Sequence, residues 1–351
     1  MHEMKALLMV LVFVALALPA AAGTLVVANK SEATVSLVDT GSGEIVATLP
    51  TGNAPHEVDV SPNGELALVG NYGTREAPGS SLTLIDIEAA EVVKTIELEG
   101  YARPHGIVWT NDRRAVVTVE ENRSIVEIDV ERGEVVEVVE TDAEISHMIA
   151  VAKKRGLAFV ANIGSGSVTV IDLAVGTKVA SIPTGEGAEG IAVTPDGRQV
   201  WVTNRAENTI TVIDANRHAP VAKLHAGEFP IRAEATADGR FVLVTNAKGN
   251  DLSVFTTNQL AEVRRVAFEA VSTDAEGRLF SDRFGSSSVP IGIEIVDGEG
   301  RAYVAHANAD GISIVDLERW EVVGTLSAGR EPDGMGYSPL VPKREQDEAE
   351  E

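Results

Sequence analysis

Three copies of one short segment carry a histidine at the same position. The segments read APHEVDV from Ala54, RPHGIVW from Arg103 and ISHMIAV from Ile145, and the histidine stands third in each one. Imidazole is a common ligand of zinc, copper and iron, and its charge changes near neutral pH. If folding brings the three histidines together, the pattern indicates a binding site. If it does not, each histidine only hydrogen-bonds a neighbouring loop or water.

The elements that must position these histidines repeat along the chain. A second segment of each copy ends in a word such as VVAN, LVGN, FVAN, WVTN or LVTN. Alternating apolar residues, as in SVTVID and TITVID, are typical of half-buried strands, and turn words such as TPDG join them. Seven such units of four short strands predict an all-β, seven-bladed β-propeller. The second segments end at Asn29, Asn71, Glu120, Asn162, Asn204, Asn246 and His306, with spacings of 42, 49, 42, 42, 42 and 60 residues.

One unit carries a recognisable family motif. The stretch VTPDGRQVWVTNRAENTITVIDA, residues 193–215, resembles the YVTN-repeat family of seven-bladed β-propellers, which includes surface-layer and periplasmic proteins. The resemblance extends over almost the whole chain after its first residues. It implies the fold much more specifically than the function, because propellers are scaffolds that carry many activities.

The two ends of the chain are predicted to share one blade. EPDGMGYSP, from Glu331 to Pro339, reads as a first strand with no second strand after it, while TLVVAN from Thr24 reads as a second strand with no first strand before it. Pairing them closes the last blade with N- and C-terminal strands and removes two free edges. The predicted propeller therefore covers residues 23–340.

The terminal segments are expected to lie outside the propeller. Residues 1–22 read as a signal peptide, because Lys5 precedes an apolar run that ends near the small residues Ala20 and Ala22. Residues 341–351 read as an acidic disordered tail. We therefore expect an exported protein, periplasmic, extracellular or on the cell surface, without a membrane span after signal cleavage.

The histidines are predicted to lie in a ring. The innermost strands of a propeller line its central channel, so residues at the same repeat position meet at one mouth. Each of the first six ring residues lies 15 residues before the end of its second segment. One arc of the ring is polar and the other is apolar. The ring contains His56, His105, His147, Glu189, Ile231, Ile291 and Asp333.

The polar arc predicts a binding site, but it does not identify the ligand. Neutral imidazoles and carboxylates are ligands of zinc, copper and non-haem iron. The same arc could instead hold a non-covalent haem or a polar small molecule, or serve structure alone. The candidate metal ligands are His56, His105, His147, Glu189, Asp333 and His306.

Further residues are expected around the same mouth. Two long connections are expected on the histidine face: the insertion YGTREAPGSS after Asn71 and the connection at residues 269–290. The second of them is interpreted either as a lid or as a tolerated insertion. Arg232 is expected to pair with a neighbouring glutamate rather than to reach an anion at the mouth. Asp59, Glu234 and Glu294 are expected further along the channel. The candidate cofactor-binding residues are Asn71, Glu120, Arg232, Phe280, Arg283 and Phe284.

Composition limits the functional classes. A formal net charge of −24 disfavours nucleic acid and anionic lipid surfaces as partners. Without cysteine the chain has no disulfide, no thiolate metal site and no covalent haem attachment. We find no G-x-S-x-G elbow and no P-loop.

These observations favour a monomeric binding or interaction protein over an enzyme. Its small-molecule, metal, haem-like or protein partner would bind at the channel mouth. Two alternatives remain open. One is a metal-dependent enzyme, since similar propellers occur among lactonases, lyases and the haem-binding domain of dihaem nitrite reductases. The other is a structural protein of the cell envelope.

Overall fold

Seven antiparallel sheets form the ring of a β-propeller in the computed structural model, which describes residues 22–269, 278 and 281–343. The first fifteen strands are β1 Thr24–Asn29, β2 Thr34–Asp39, β3 Ile45–Pro50, β4 Pro55–Val60, β5 Leu66–Gly73, β6 Pro78–Asp86, β7 Glu91–Glu97, β8 Pro104–Asn111, β9 Arg114–Val119, β10 Ser124–Asp129, β11 Glu134–Glu140, β12 Ser146–Ala152, β13 Leu157–Asn162, β14 Ser167–Asp172 and β15 Thr177–Pro183.

The remaining strands complete the ring. They are β16 Ala188–Val193, β17 Gln199–Asn204, β18 Thr209–Asp214, β19 Ala219–His225, β20 Pro230–Ala235, β21 Phe241–Asn246, β22 Asp251–Thr256, β23 Ala261–Ala267, β24 Pro290–Val296, β25 Arg301–His306, β26 Gly311–Asp316, β27 Glu321–Ser327 and β28 Pro332–Ser338. Helical elements within the described residues are short: α1 Ser281–Phe284 and 3-10 turns at Glu120–Asn122, Lys153–Arg155 and Asp297–Glu299. Most of the predicted signal peptide and most of the predicted acidic tail lie outside the described residues. Phe280 also lies outside them.

The predicted closure of the ring is confirmed. Six blades are consecutive runs of four strands from β4 to β27, and the seventh has the strand order β28-β1-β2-β3. In that blade the two ends of the chain pair directly, with Thr24 opposite Ser338 and Val27 opposite Met335. Because this pairing joins the two ends of the chain within one blade, β28 covers the edge of β1 that would otherwise be unpaired.

The hydrophobic core lies between neighbouring blades. Leu68 and Leu82 of one blade pack with Trp109, Val117 and further residues of the next in a single buried cluster. Both faces of each sheet are therefore covered, which explains why the second strands read as nearly continuous apolar runs. In the third strands, which alternate in sequence, the polar residues are buried too, as Thr211 is in TITVID, so these strands are not half-buried as the alternation predicted. Burial of each large side chain contributes about 1.5–3 kcal/mol.

The repeated asparagine at the end of the second strand is structural. In the fourth consecutive blade Asn204 is fully buried, and its Nδ2 donates hydrogen bonds to Thr209 Oγ1 at 3.1 Å and Thr211 Oγ1 at 3.0 Å. Asn71 accepts the backbone N–H of Gly52 at 2.9 Å through Oδ1. A Cβ atom at Gly52 would lie 2.6 Å from Asn71 Cγ, so glycine is needed for this close approach. The asparagine thus ties the end of its strand to the third strand of the same blade, and Asn71 is also bound to the loop before the inner strand.

The blade formed by β8 to β11, called here the second blade, departs from the predicted alignment by one residue. Val119, and not Glu120, ends β9 and pairs with Pro104, just as Asn71 pairs with Pro55 in the preceding blade. Glu120 starts a 3-10 turn instead. A slip of one residue moves a side chain to the other face of a strand, so the equal spacing of 15 residues does not hold here. Glu120 is consequently free of the structural role that asparagine has in other blades.

Carboxylates further along the channel connect neighbouring blades. Asp59 Oδ2 accepts the backbone N–H of Trp109 at 2.8 Å, and Glu234 Oε2 accepts that of Ile295 at 3.0 Å. Burial raises the pKa of Asp59 to about 6. Burial, reinforced by nearby acidic groups, raises the pKa of Glu234 to about 8 and that of Glu294 well above its usual range. These groups favour the folded state most when they are protonated.

We predict that this part of the channel makes the fold less stable as the pH rises. Glu234 is ionised above about pH 4.5 in the unfolded chain but only near pH 8 in the folded one, so stability is lost across that window, by at most about 1.4 kcal/mol per pH unit. Glu234→Gln keeps the acceptor for Ile295 and removes the charge. Its melting temperature should fall less than that of the wild type between pH 5 and 8.

The control for this prediction is Glu318→Gln, which changes an exposed turn residue. Its pH profile should follow the wild type. A Glu234→Gln profile that also follows the wild type would show that the Glu234 carboxylate does not titrate in this window.

Candidate functional site

The three repeated histidines meet at one mouth of the channel. His56, His105 and His147 are the second residues of β4, β8 and β12, which are the innermost strands of three consecutive blades. The ring centroids of His56 and His105 are 4.1 Å apart, and those of His105 and His147 are 3.5 Å apart. Equivalent positions on adjacent inner strands therefore produce direct ring contact.

His105 is the central and most deeply buried imidazole. Its exposed fraction is 0%, and neither ring nitrogen has a hydrogen-bond partner among the described residues. The nearest carboxylate in an ion-pair arrangement is Glu57, whose Oε1 lies 3.9 Å from Nδ1. Burial and the adjacent imidazoles hold the pKa of His105 well below its usual value. The ring is thus neutral and offers a lone pair, at a cost of about 1–3 kcal/mol for an unsatisfied buried polar group.

His147 is held between two carboxylates. Its Nδ1 hydrogen-bonds Glu120 Oε1, and its Nε2 lies 3.3 Å from Glu189 Oε1. Burial opposes a positive charge on the ring, but the two carboxylates outweigh it and raise the pKa of His147. Tyr72, from the insertion after Asn71, donates its hydroxyl to Glu120 Oε2 at 2.6 Å. The displaced register of the second blade is what allows Glu120 to reach this position.

His56 is paired with a cation as well as a carboxylate. Lys30 Nζ lies 2.7 Å from His56 Nε2 and 3.1 Å from Asp333 Oδ2, while His56 Nδ1 lies 3.1 Å from the same carboxylate oxygen. Burial lowers the pKa of His56. Because the Lys30 ammonium can only donate, Nε2 is the acceptor and Nδ1 carries the proton that faces Asp333.

An arginine crosses the channel beside the imidazoles. The Arg232 guanidinium hydrogen-bonds Glu57, and it lies 3.7 Å from Glu189 Oε1 and 3.8 Å from Asp333 Oδ1. It is 5% exposed, so the pairing of its charge is required for burial. Arg232 therefore pairs with a glutamate, as the sequence suggested, but the partner belongs to a distant blade.

Glu57 was not among the residues that the sequence singled out. It occupies the position directly after the ring residue, which is glycine in four of the other blades: Gly106, Gly190, Gly292 and Gly334. A Cβ atom would lie 2.8 Å from a backbone nitrogen at Gly106 and 2.5 Å from a backbone oxygen at Gly190. The remaining residues at this position are Met148, Glu57 and Arg232. The opposite charges of the last two were the available signal, because they suggest a pair.

The other predicted site residues divide into two groups. Phe284 is buried and makes an edge contact with Phe229, and the exposed Arg283 stacks over both rings at this mouth. Asn71 instead bonds to its own blade. His306 also lies elsewhere: Ser288 and Ser313 occupy its two ring nitrogens, and it lines a different cavity.

The mouth contains a half-open cavity of about 280 Å³. Its imidazoles are those of His56 and His147, and its carboxylates are those of Glu120, Glu189 and Asp333. Its lining is Lys30, His56, Tyr72, Glu120, Ile145, His147, Ile163, Glu189, Arg205, Phe229, Ile231, Arg232, Arg283, Phe284, Ile291 and Asp333.

Two sets of side chains have the composition of a metal site. One ligand atom from each of His105, Glu120 and His147 lies within 4.8 Å of the others, and His56, Glu57 and His105 meet the same criterion. Two imidazoles and one carboxylate are a common three-ligand set that leaves positions open. In the first set Tyr72 orients the carboxylate and Glu189 faces the far nitrogen of His147, as outer partners of metal ligands do.

Comparison with known proteins agrees with this fold. Hydrazine synthase from Kuenenia stuttgartiensis is similar, with a TM-score of 0.69, 17% identity, and coverage of 81% of this chain and 90% of that one. A functionally unknown protein from Desulfotomaculum acetoxidans DSM 771 has a TM-score of 0.72, 18% identity, and coverage of 91% and 99%. At such identities the likeness concerns the fold alone. No curated protein matches the chain.

The described part of the chain contains no helix that is both long and apolar enough to cross a membrane. Residues 109–333 match the family described as Cytochrome D1 heme domain. Because this match spans more than half of the sequence, the chain belongs to the Cytochrome D1 heme domain family.

Proposed function

We propose that this chain is an exported binding propeller of the YVTN-repeat type whose channel mouth holds one transition-metal ion. The ligands are His105, Glu120 and His147, and the ion is zinc, copper or iron. One observation carries the proposal: the fully buried His105 has no hydrogen-bond partner on either ring nitrogen among the described residues. Metal coordination would satisfy a polar group that the fold otherwise leaves costly.

The surrounding contacts suit a site with an open coordination position. Three protein ligands leave room for water or a substrate, and Glu120 and His147 both line the cavity. When bound, the ion would act as a Lewis acid toward a molecule in that cavity. Because of this open position, a metal-dependent hydrolase or redox protein is the second candidate function.

A haem, which the family description implies, does not fit these residues. The nitrogens of His105 are enclosed, and the neighbouring imidazole rings lie only 3.5 and 4.1 Å away. The charged groups Lys30, Asp333, Glu120 and Glu189 stand directly against the rings of His56 and His147, where a macrocycle would have to pass. A macrocycle would have to separate these rings and charges, and a cavity of about 280 Å³ is smaller than common cofactor pockets.

The main prediction concerns His105→Ile. Two other blades carry isoleucine at this ring position, Ile231 and Ile291, so the substitution installs a residue that the repeat already accommodates. We expect the variant to lose stoichiometric binding of Zn²⁺ or Co²⁺ while the metal-free protein remains as stable as the wild type or gains up to about 1–3 kcal/mol. Metal analysis, calorimetric titration and thermal melts measure these effects.

The matched control is His306→Asn, which replaces another buried histidine with the asparagine that most blades carry there. It should retain full metal binding. If neither the wild type nor this control binds metal, or if His105→Ile binds as they do, the metal proposal is wrong. Haem added to the same three proteins should give no shifted Soret band, and a saturable shift in the wild type would restore the haem alternative.

A second prediction concerns Tyr72→Phe, which removes the hydroxyl that donates to Glu120. Loss of such an outer partner typically weakens metal affinity about 10–100-fold. The variant should still bind one ion, and the visible spectrum of its Co²⁺ form should shift because the carboxylate has moved. Tyr101→Phe, away from the mouth cavity, is the control. Equal affinities and spectra in both variants would remove Tyr72 from the site.

A further inference from the structure

The mouth cavity has an apolar wall opposite its imidazoles. Phe229 and Phe284 contact each other edge to face, with centroids 5.0 Å apart, and Ile231 and Ile291 continue the same wall. The isoleucines form the apolar arc of the ring, Phe229 precedes β20, and Phe284 belongs to the long connection before β24. Aromatic edges and faces of this kind bind flat apolar groups well.

The same cavity is rich in cations although the chain as a whole is strongly acidic. Lys30, Arg205, Arg232 and Arg283 line it in a protein with a formal net charge of −24. Three of these cations have carboxylate partners: Lys30 pairs with Asp333, Arg205 with Glu189, and Arg232 with Glu57. The overall charge repels anions, so an anion would be held here only by local contacts.

Arg283 differs from the other three cations. It is exposed, and its guanidinium lies 4.8 Å from the centroid of Phe229 and 5.5 Å from that of Phe284. Among the side chains that the structure describes, no carboxylate forms an ion pair with it. A guanidinium stacked on aromatic rings keeps its edge N–H groups available, and their fork matches a carboxylate.

We propose that this cavity binds a small monocarboxylate with a flat apolar body. The body rests against Phe229 and Phe284, and the carboxylate accepts hydrogen bonds from Arg283. A cavity of about 280 Å³ limits the ligand to roughly the size of a single ring with short substituents. The ligand would lie at the same mouth as the proposed metal ion, but its binding does not require the metal.

Calorimetric titration of the metal-free protein with benzoate tests the proposal. Acetate has the charge without the ring, and benzamide has the ring without the charge. We expect saturable benzoate binding and at least tenfold weaker binding of either comparison compound. Arg283→Gln should weaken benzoate binding at least fivefold. Arg264→Gln, an exposed arginine on β23, should leave it unchanged.

The outcomes separate this proposal from the metal site. Absence of saturable benzoate binding, equal binding of acetate, equal binding of benzamide, or an unchanged affinity in Arg283→Gln would each overturn it. His105→Ile should still bind benzoate. A wild type that binds benzoate but no metal would contradict the metal proposal alone, and one that binds metal but no benzoate would contradict this inference alone.

Discussion

The narrowness of the closed ring is the constraint on which the other features depend. Seven inner strands converge on one channel, and equivalent residues of adjacent blades come into direct contact, as the imidazoles of His105 and His147 do. Closure by β28 and β1 prevents the blades from moving apart there. Any polar side chain at this position must therefore find a partner across the channel or remain unsatisfied.

Most of the charges at the mouth satisfy this constraint among themselves. Arg232 reaches three carboxylates from other blades, and Lys30 bridges an imidazole and a carboxylate. Such a buried network is costly to break but adds little net stability, since each ion loses its hydration. His105 is the exception, because it is buried without a hydrogen-bond partner among the described residues. Single unpaired atoms also occur in this network, such as Arg232 Nε and Asp333 Oδ1, but His105 alone of the three ring histidines lacks a partner on both nitrogens within the described residues, which is more informative about function than the presence of histidines.

Departures from the repeat coincide with the site. The asparagines that end the second strands serve the fold, and Glu120 joins the site only because β9 ends one residue earlier. Glu57 and Arg232 occupy a position that close backbone contacts restrict to glycine in most blades. The insertion after Asn71 contributes Tyr72, and the connection before β24 contributes Arg283 and Phe284. The residues that the repeats share thus maintain the scaffold, and the residues that differ between repeats form the site.

The sequence by itself determined the seven blades, the closure of the ring by both termini, and the membership of His56, His105 and His147 in one ring. These features follow from local periodicity and from equal spacing, which the sequence displays directly. Only the tertiary structure decided that Glu120 faces His147, that Glu57 pairs with Arg232, and that His306 belongs to another cavity. Those outcomes depend on a one-residue change of register and on contacts between distant blades, and neither has a local signature in the chain.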